Sequence, residues 1–452
     1  MRLPAYPSYK DSGVSWLGHI PEQWDVSRIK FIVSTPVTDG PHETPEILSE
    51  GIPFVSAEAI VNGRIDFDKI RGYISEEDHR RFCKKYCPRL GDIYMVKSGA
   101  TTGRVAMVED DRVFNIWSPL AAIRCNKYLA DLRFIYHYMH SREFQTAVQL
   151  SWSYGTQQNI GMGVIQNLSV PLPSIPEQRI VADFLDIWTA KINSLLAKKR
   201  ELIEKLKEKR SAVISSTVTR GLPPEVARAA GLDPQPDMKA SGIDWLGEVP
   251  NHWDLKAIKW ETPVLRGASP RPIDDPIYFD DDNGEHAWVR ISDVTASGMY
   301  LEVTEQKLST IGSSLSVKLD PGALFLSIAG SVGKPCITKI KCCIHDGFVY
   351  FPRFKGETRF LYYIFASGEP YKGLGKMGTQ LNLNTDTVGS IVIGIPDFTE
   401  QVAIADFLDY ETARLDRMVA KVEEAIERLQ EYRIALITSA VTGKIDVRGA
   451  VA

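Results

Sequence analysis

Several short stretches of this chain carry residue types that could do covalent chemistry, and each lacks a necessary neighbour. "AGSVGKP" at Ala329–Pro335 looks like a phosphate-cradling loop, but its first glycine is misplaced and no Ser or Thr follows Lys334. "DPIY" at Asp275–Tyr278 approaches the Asn/Asp-Pro-Pro-aromatic element of an adenine methyltransferase. Ile277 replaces the second proline and no glycine-rich cofactor turn accompanies it, so it reads as a turn leading into a strand. Asp293, Glu305 and Lys307 could be forced into a nuclease set, a combination that arises easily in a chain that is 24% charged. Cys83 and Cys87 have no second Cys/His pair at zinc spacing, and the eight histidines form no cluster. The expectation is a protein with no catalytic residues, no metal ligands and no cofactor of its own.

The elements that carry these stretches come in two copies. "SGVSWLGHIPEQWD" from Ser12 is repeated as "SGIDWLGEVPNHWD" from Ser241, with ten identities in the nineteen positions from Ser12 to Lys30. "EQRIVADFLDIWTAKI" from Glu177 is answered by "EQVAIADFLDYETARL" from Glu400. Between these echoes only islands agree: "GDIYMVKSGATTGR" from Gly91 with "GALFLSIAGSVGK" from Gly322, and "GTQQNI" from Gly155 with "GTQLNL" from Gly378. Kept ends and a changed middle imply a shared scaffold under divergent working surfaces. Short β-rich runs (Ile93–Val96, Val105–Val108, Leu324–Ile328, Ile391–Ile395) bounded by Gly, Pro, Asp and Asn, with helical patterns at Leu132–Leu150 and Thr358–Ala366, make both middles mixed α/β. The Trp-rich phrases (Trp16, Trp24, Trp245, Trp253) read as core that packs each domain on its helix.

Each copy closes in a long helical pattern, about 177–219 and 400–442. The second has Leu415, Met418, Val422, Ala425, Leu429, Tyr432 and Leu436 at alternating 3–4 spacing; the first has Ile192, Leu195, Leu202, Leu206 and Val213 at matching places, with Lys199 and Lys209 among them. Such spacing predicts an antiparallel coiled-coil seam, and lysines in it favour one particular partner. From Lys191 to Arg210 there are eight basic and three acidic residues, against five of each from Arg414 to Arg433. A helix of forty-odd residues spans on the order of 60 Å, more than one turn of B-DNA at about 34–36 Å. The pair reads as a spacer between two readers.

Length and composition bound the rest. At 452 residues the chain is too long for one core. It has no apolar run long enough to span a membrane, no signal-peptide pattern at its start, and six scattered cysteines that suit a reducing cytoplasm. A net charge of −4 gives no bulk electrostatic argument for nucleic acid, so any such claim rests on local residues.

In their duplicated order, the WLG-x-x-P-x-x-W-D openings, the "GTQ" segments and the "EQ…ADFLD" helix starts resemble the specificity subunit of type I restriction–modification systems, over nearly the whole chain. The resemblance implies an α+β, internally duplicated, pseudo-two-fold chain. Its parts would be target-recognition domains at 1–175 and 239–396, spacer helices at 176–220 and 397–444 forming an antiparallel coiled coil, a linker at 221–238 and a tail at 445–452. Each domain would read one half of a split, asymmetric site in double-stranded DNA. The helices would set the gap and dock two methyltransferase subunits, which use S-adenosylmethionine. Restriction subunits would add ATP- and Mg-dependent cleavage.

For such readers the DNA-contacting candidates are hydroxyls, amides and cations on Gly-hinged turns. They are Lys97, Ser98, Thr101, Thr102 and Arg104 in the first copy and Ser327, Ser331 and Lys334 in the second. The "GTQ" segments add Thr156, Gln157, Gln158 and Asn159, then Thr379, Gln380 and Asn382, and "WVRISD" adds Arg290, which could instead pair with Asp293. Local turn-making is the competing role for every one of them. The alternatives for the whole chain are a related bipartite-site methyltransferase or nuclease system, and a duplicated scaffold that binds two proteins and no DNA.

Overall fold

The computed structural model describes residues 3–152, 159–372 and 383–450. The chain divides into two compact units, Met1–Arg200 with Glu423–Ala452, and Glu201–Val422.

In the first unit a scaffold strand Asp25–Arg28 pairs antiparallel with Ser169–Leu172, so the two ends of the variable middle are tied side by side. The middle carries an antiparallel sheet in the order 105–107, 93–96, 120–123, 38–39, and a second sheet in which Asn115–Ile116 runs parallel to Ile52–Val55. The second unit repeats the plan. Asp254–Ala257 pairs with Val392–Ile395, and Leu324–Ser327 lies at the centre of a five-stranded sheet. In its other sheet His286–Val289 runs parallel to Cys342–Ile344. The predicted helix 132–150 is two helices, Leu132–Met139 and Arg142–Leu150. Ser141 breaks it by accepting the Phe144 N–H at 3.2 Å, a side-chain cap that restarts the helix in a new direction.

The long helices are Ile175–Arg220 and Phe398–Val441. Within the first unit the start of one packs on the end of the other, with Asn193 accepting from Arg433 at 2.8 Å. Within the second unit the end of the first packs on the start of the second, and Arg210 meets Asp416 at 3.0 Å. Both pairings are antiparallel, as the sequence predicts, and Ile192, Lys199, Leu206, Val213, Leu415, Val422, Leu429 and Leu436 take the seam places predicted for them, but the alternate positions lie one residue further on. Leu195, Leu202 and Met418 are 48%, 42% and 41% exposed, whereas Leu196 and Ile203 are 4% and 8% exposed. The buried or half-buried positions run Ile192, Leu196, Lys199, Ile203, Leu206, Arg210, Val213 in one helix. In the other they run Leu415, Val419, Val422, Ile426, Leu429, Arg433, Leu436. Tyr432 and Lys209 point outward, and Arg433 and Arg210 take the seam positions assigned to them. The cause is the doublets Leu195-Leu196, Leu202-Ile203 and Met418-Val419, which fit two heptad registers equally well.

Candidate nucleic-acid interface

The repeated phrases build a repeated mount for each reader. Trp24 is fully buried and donates its indole N–H to Glu177 at 3.1 Å; Trp253 donates to Glu400 at 3.1 Å. Gln178 donates to Pro173 O and accepts the Asp131 N–H, while Gln401 donates to Pro396 O and accepts the Glu357 N–H. These glutamines bind the start of the long helix to the loop that opens the next domain helix. The two aspartates of each "ADFLD" then hold one arginine: Asp183 and Asp186 on Arg133, Asp406 and Asp409 on Arg359, all at 2.7–2.8 Å. Burial raises the Asp186 carboxyl, but hydrogen bonds from His137 and Arg133 outweigh it and hold the group below its usual range. Trp16 and Trp245 pack against the two cores. All four repeated tryptophans are therefore packing residues.

The Gly-hinged turns are largely spent on their own structure. Lys97 is mostly buried, with its ammonium 3.0 Å from Asp39, which also binds Lys85 at 2.5 Å. Ser98 forms a β-bridge with Asn159. Thr102 donates to Gly99 O at 2.7 Å, and Thr101 O receives the Arg104 N–H. The Arg104 side chain is exposed and borders a cavity of about 480 Å3 with Thr102, Tyr136, Asn193 and Arg433. In the second copy Ser327 is fully buried and bonds Ser331 O and the Lys334 N–H, so it closes the turn. Lys334 donates to Thr295 O and Ser297 O at 2.8 and 3.0 Å and thereby caps the end of helix Ile291–Ala296. Burial lowers its ammonium from the usual lysine value. Ser331 is exposed and shares a hydrogen bond with Thr295. Thr156, Gln157, Gln158, Thr379, Gln380 and Asn382 lie outside the described residues.

Arg290 does not pair with Asp293 through its side chain. Its backbone N–H donates to Asp293, and its guanidinium meets Glu305 at 3.2 Å and Gln306. Asp293 and Glu305 are thus both engaged by Arg290. Asp275 accepts the Ile277 N–H at 3.1 Å, so "DPIY" forms a turn. Among the described residues no three or more His, Cys, Asp or Glu side chains are grouped to hold a metal ion. Burial pushes the Cys83 thiol up to about 11.

Two clefts escaped the sequence reading. One, of about 370 Å3, is walled by Asp39, His42, Glu43, Arg81, Lys85 and Asn115. The other, of about 680 Å3, is walled by Ser269, Arg271, Asp274, Trp288, Arg290, Gln306, His345 and Asp346. Near each cleft a glycine is pressed against neighbouring backbone: a Cβ on Gly40 would lie 2.0 Å from Ile116 O, and one on Gly267 would lie 2.2 Å from His345 O. "TDG" and "LRG" are the only local traces of that shared corner.

Residues 21–205 and 276–428, about three quarters of the chain, match the model of the type I restriction modification DNA specificity domain. A putative type I restriction enzyme MjaX specificity subunit of Methanocaldococcus jannaschii is 22% identical over 441 residues, covering 96% of each chain. The EcoBI specificity subunit of Escherichia coli is 22% identical over 332 residues, covering 70% of this chain and 66% of its own. A solved chain of a type I R-M system superimposes with a TM-score of 0.70 at 17% identity, covering 93% of this chain and 98% of that one. The HsdS subunit of Thermoanaerobacter tengcongensis gives 0.52 at 17% identity, with 94% and 98% covered.

Proposed function

The chain belongs to the family of type I restriction modification DNA specificity domains, and on that footing we propose that each of its repeats reads one half of a split, asymmetric DNA site. It is a specificity subunit, and it supplies recognition and assembly with no chemistry of its own. The observation that carries this reading is one mount used twice, Trp–Glu, Gln and Arg–Asp–Asp, in two units whose clefts are lined by different side chains. A common mount with unlike faces is what two unrelated half-sites require, and a symmetric homodimer could not provide it.

The outer faces of the long helices support docking of two copies of one partner. Lys191, Leu195, Lys198, Leu202 and Lys205 form an exposed stripe on the first helix. Arg414, Met418, Lys421, Ala425 and Arg428 occupy the same repeat positions on the second. Basic and apolar groups presented twice at one spacing suit two methyltransferase subunits. Those subunits would bring S-adenosylmethionine, and restriction subunits would bring ATP and Mg; this chain would hold no cofactor. Among the described residues no helix is long and apolar enough to cross a membrane, and the proposed setting is the cytoplasm, where the DNA is.

The test is reconstitution of the full chain with its methyltransferase subunits. The complex should bind split-site DNA at low salt and lose affinity steeply as salt rises. Exchange of residues 40–165 should change one half of the methylated sequence and spare the other. Absence of DNA binding at low salt, or methylation by the purified chain alone, would refute the proposal.

A further inference from the structure

The cleft of the second unit gathers two arginines with carboxylate and amide acceptors. Arg271 is held by Asp346 at 2.9 Å, and the same carboxylate accepts from Ser269 at 3.0 Å. Arg290 is held by Glu305 at 3.2 Å and by Gln306. Trp288, almost fully buried, and His345 line the cleft between them, with ring centroids 5.9 Å apart. Both guanidinium forks are thus paired with acceptors and border an open space of about 680 Å3. Neither is needed to satisfy a buried group: their side chains are 71% and 42% exposed.

The carboxylates decide what the cleft can bind. Asp274 lies in the lining, and Asp280, Asp281 and Asp282 follow it closely in the chain. Phosphates would be repelled there, whereas a base edge carries donors as well as acceptors. A guanidinium fork matches guanine O6 and N7, and a carboxylate accepts from cytosine N4. We infer that this cleft is where the second repeat reads its half-site, and that it reads a G·C pair, with Arg271 or Arg290 on the guanine and Asp274 on the cytosine. The inference rests on the DNA-reading function proposed above. The first unit has its cleft at the same corner with other side chains, His42, Arg81, Lys85 and Asn115, as two different half-sites demand.

The experiment is methylome sequencing of cells that express the full chain with its methyltransferase subunits, as wild type and as Arg271→Ala, Arg290→Ala and Arg290→Lys. The wild-type half-site that changes on exchange of residues 268–346 should contain a G·C pair. At least one of the two alanine variants should relax that pair, lowering discrimination about 5- to 150-fold, the range a bidentate contact provides. The other half should stay unchanged. If Arg290→Ala relaxes the pair, Arg290→Lys should relax the same position, because an ammonium cannot make the fork. Thermal unfolding of each variant complex separates loss of reading from loss of fold, and the exposed Arg271 should leave it unchanged. A half-site without G·C, an unaltered pattern in both alanine variants, or a uniform drop in methylation with the pattern intact would overturn the inference. A wild-type complex that methylates no split site would instead refute the proposed function.

Discussion

One carboxylate organises the opening of each repeat. Glu177 accepts from Trp24 at 3.1 Å and from Tyr6 at 2.8 Å, and both donors are buried. Glu400 accepts from Trp253 at 3.1 Å and His252 at 2.8 Å. Glu177→Ala should therefore strand two buried donors at about 1–3 kcal/mol each, lowering the stability seen by thermal unfolding by about 2–6 kcal/mol. Glu177→Gln, which keeps an acceptor, should cost less. Asp39 makes a second case. Burial raises its carboxyl, but Lys85 and Lys97 outweigh burial and hold it below the usual value. A depressed folded-state value contributes stability that is complete above the ordinary aspartate range near about 4 and is lost as pH falls through the folded value. Asp39→Asn should thus cost about 1–3 kcal/mol at pH 7, since Lys97 is left mostly buried and unpaired. In unfolding titrations the gap to wild type should narrow below about pH 4. Neither network could be read from spacing, because Glu177 and Trp24 are 153 positions apart. Only the repetition of both motifs hinted that they meet.

Among the elements, the long helices were legible in extent and direction, and in register at every second seam position. The doublets at 195–196, 202–203 and 418–419 offer two stripes; packing takes one and leaves the other as the exposed basic and apolar face. The two stripes have measurable consequences. Leu196→Ala and Ile203→Ala remove buried side chains and should each cost about 2–4 kcal/mol. Leu195→Ala and Leu202→Ala should stay within about 0.5 kcal/mol of wild type. Denaturant midpoints of the four variants measure both, and a reversed ranking would restore the register read from the sequence. Loss of methyltransferase binding in the Leu195 and Leu202 variants, with stability intact, would mark the exposed stripe as the docking face. Ser141 shows the other limit on legibility. A serine inside a helical period is neutral by pattern, and only its bond to Phe144 N turns it into a break.

For the molecule as a whole, duplication was the strongest signal in the sequence, and it foretold what is common to the units while leaving their differences open. The second unit's cleft was invisible because its residues meet only across strands distant in sequence: Gln306–Leu308 pairs antiparallel with His286–Val289, which runs parallel to Cys342–Ile344, just before His345 and Asp346. Duplication also extends to how the helices end. The second long helix closes at Gly443, with φ of +71°, beside Pro21 and Trp24 of the first repeat's opening phrase. The first closes at Gly221, with φ of +81°, beside Pro250 and Trp253 of the second phrase. In both places a left-handed residue is needed to turn the chain off the helix, which glycine adopts without strain. From Gly221 the chain runs on through 222–237 to the strand Met238–Ala240. At the equivalent junction in the first unit the chain is not continuous. There the Asp446 N–H donates to Pro4 O at 2.8 Å and Tyr9 OH to Gly443 O at 3.0 Å. One junction is covalent and the other is held by hydrogen bonds, yet each delivers the chain to the same tryptophan. A circular permutant that joins residue 450 to residue 3 by a short Gly/Ser segment and opens at 231–236 should therefore keep both units intact. It should unfold within a few degrees of the parent and, with its methyltransferase subunits, mark the same two half-sites. A permutant that folds but marks altered half-sites would show that the covalent linker positions a reader; one that fails to fold would show that the two junctions are not equivalent.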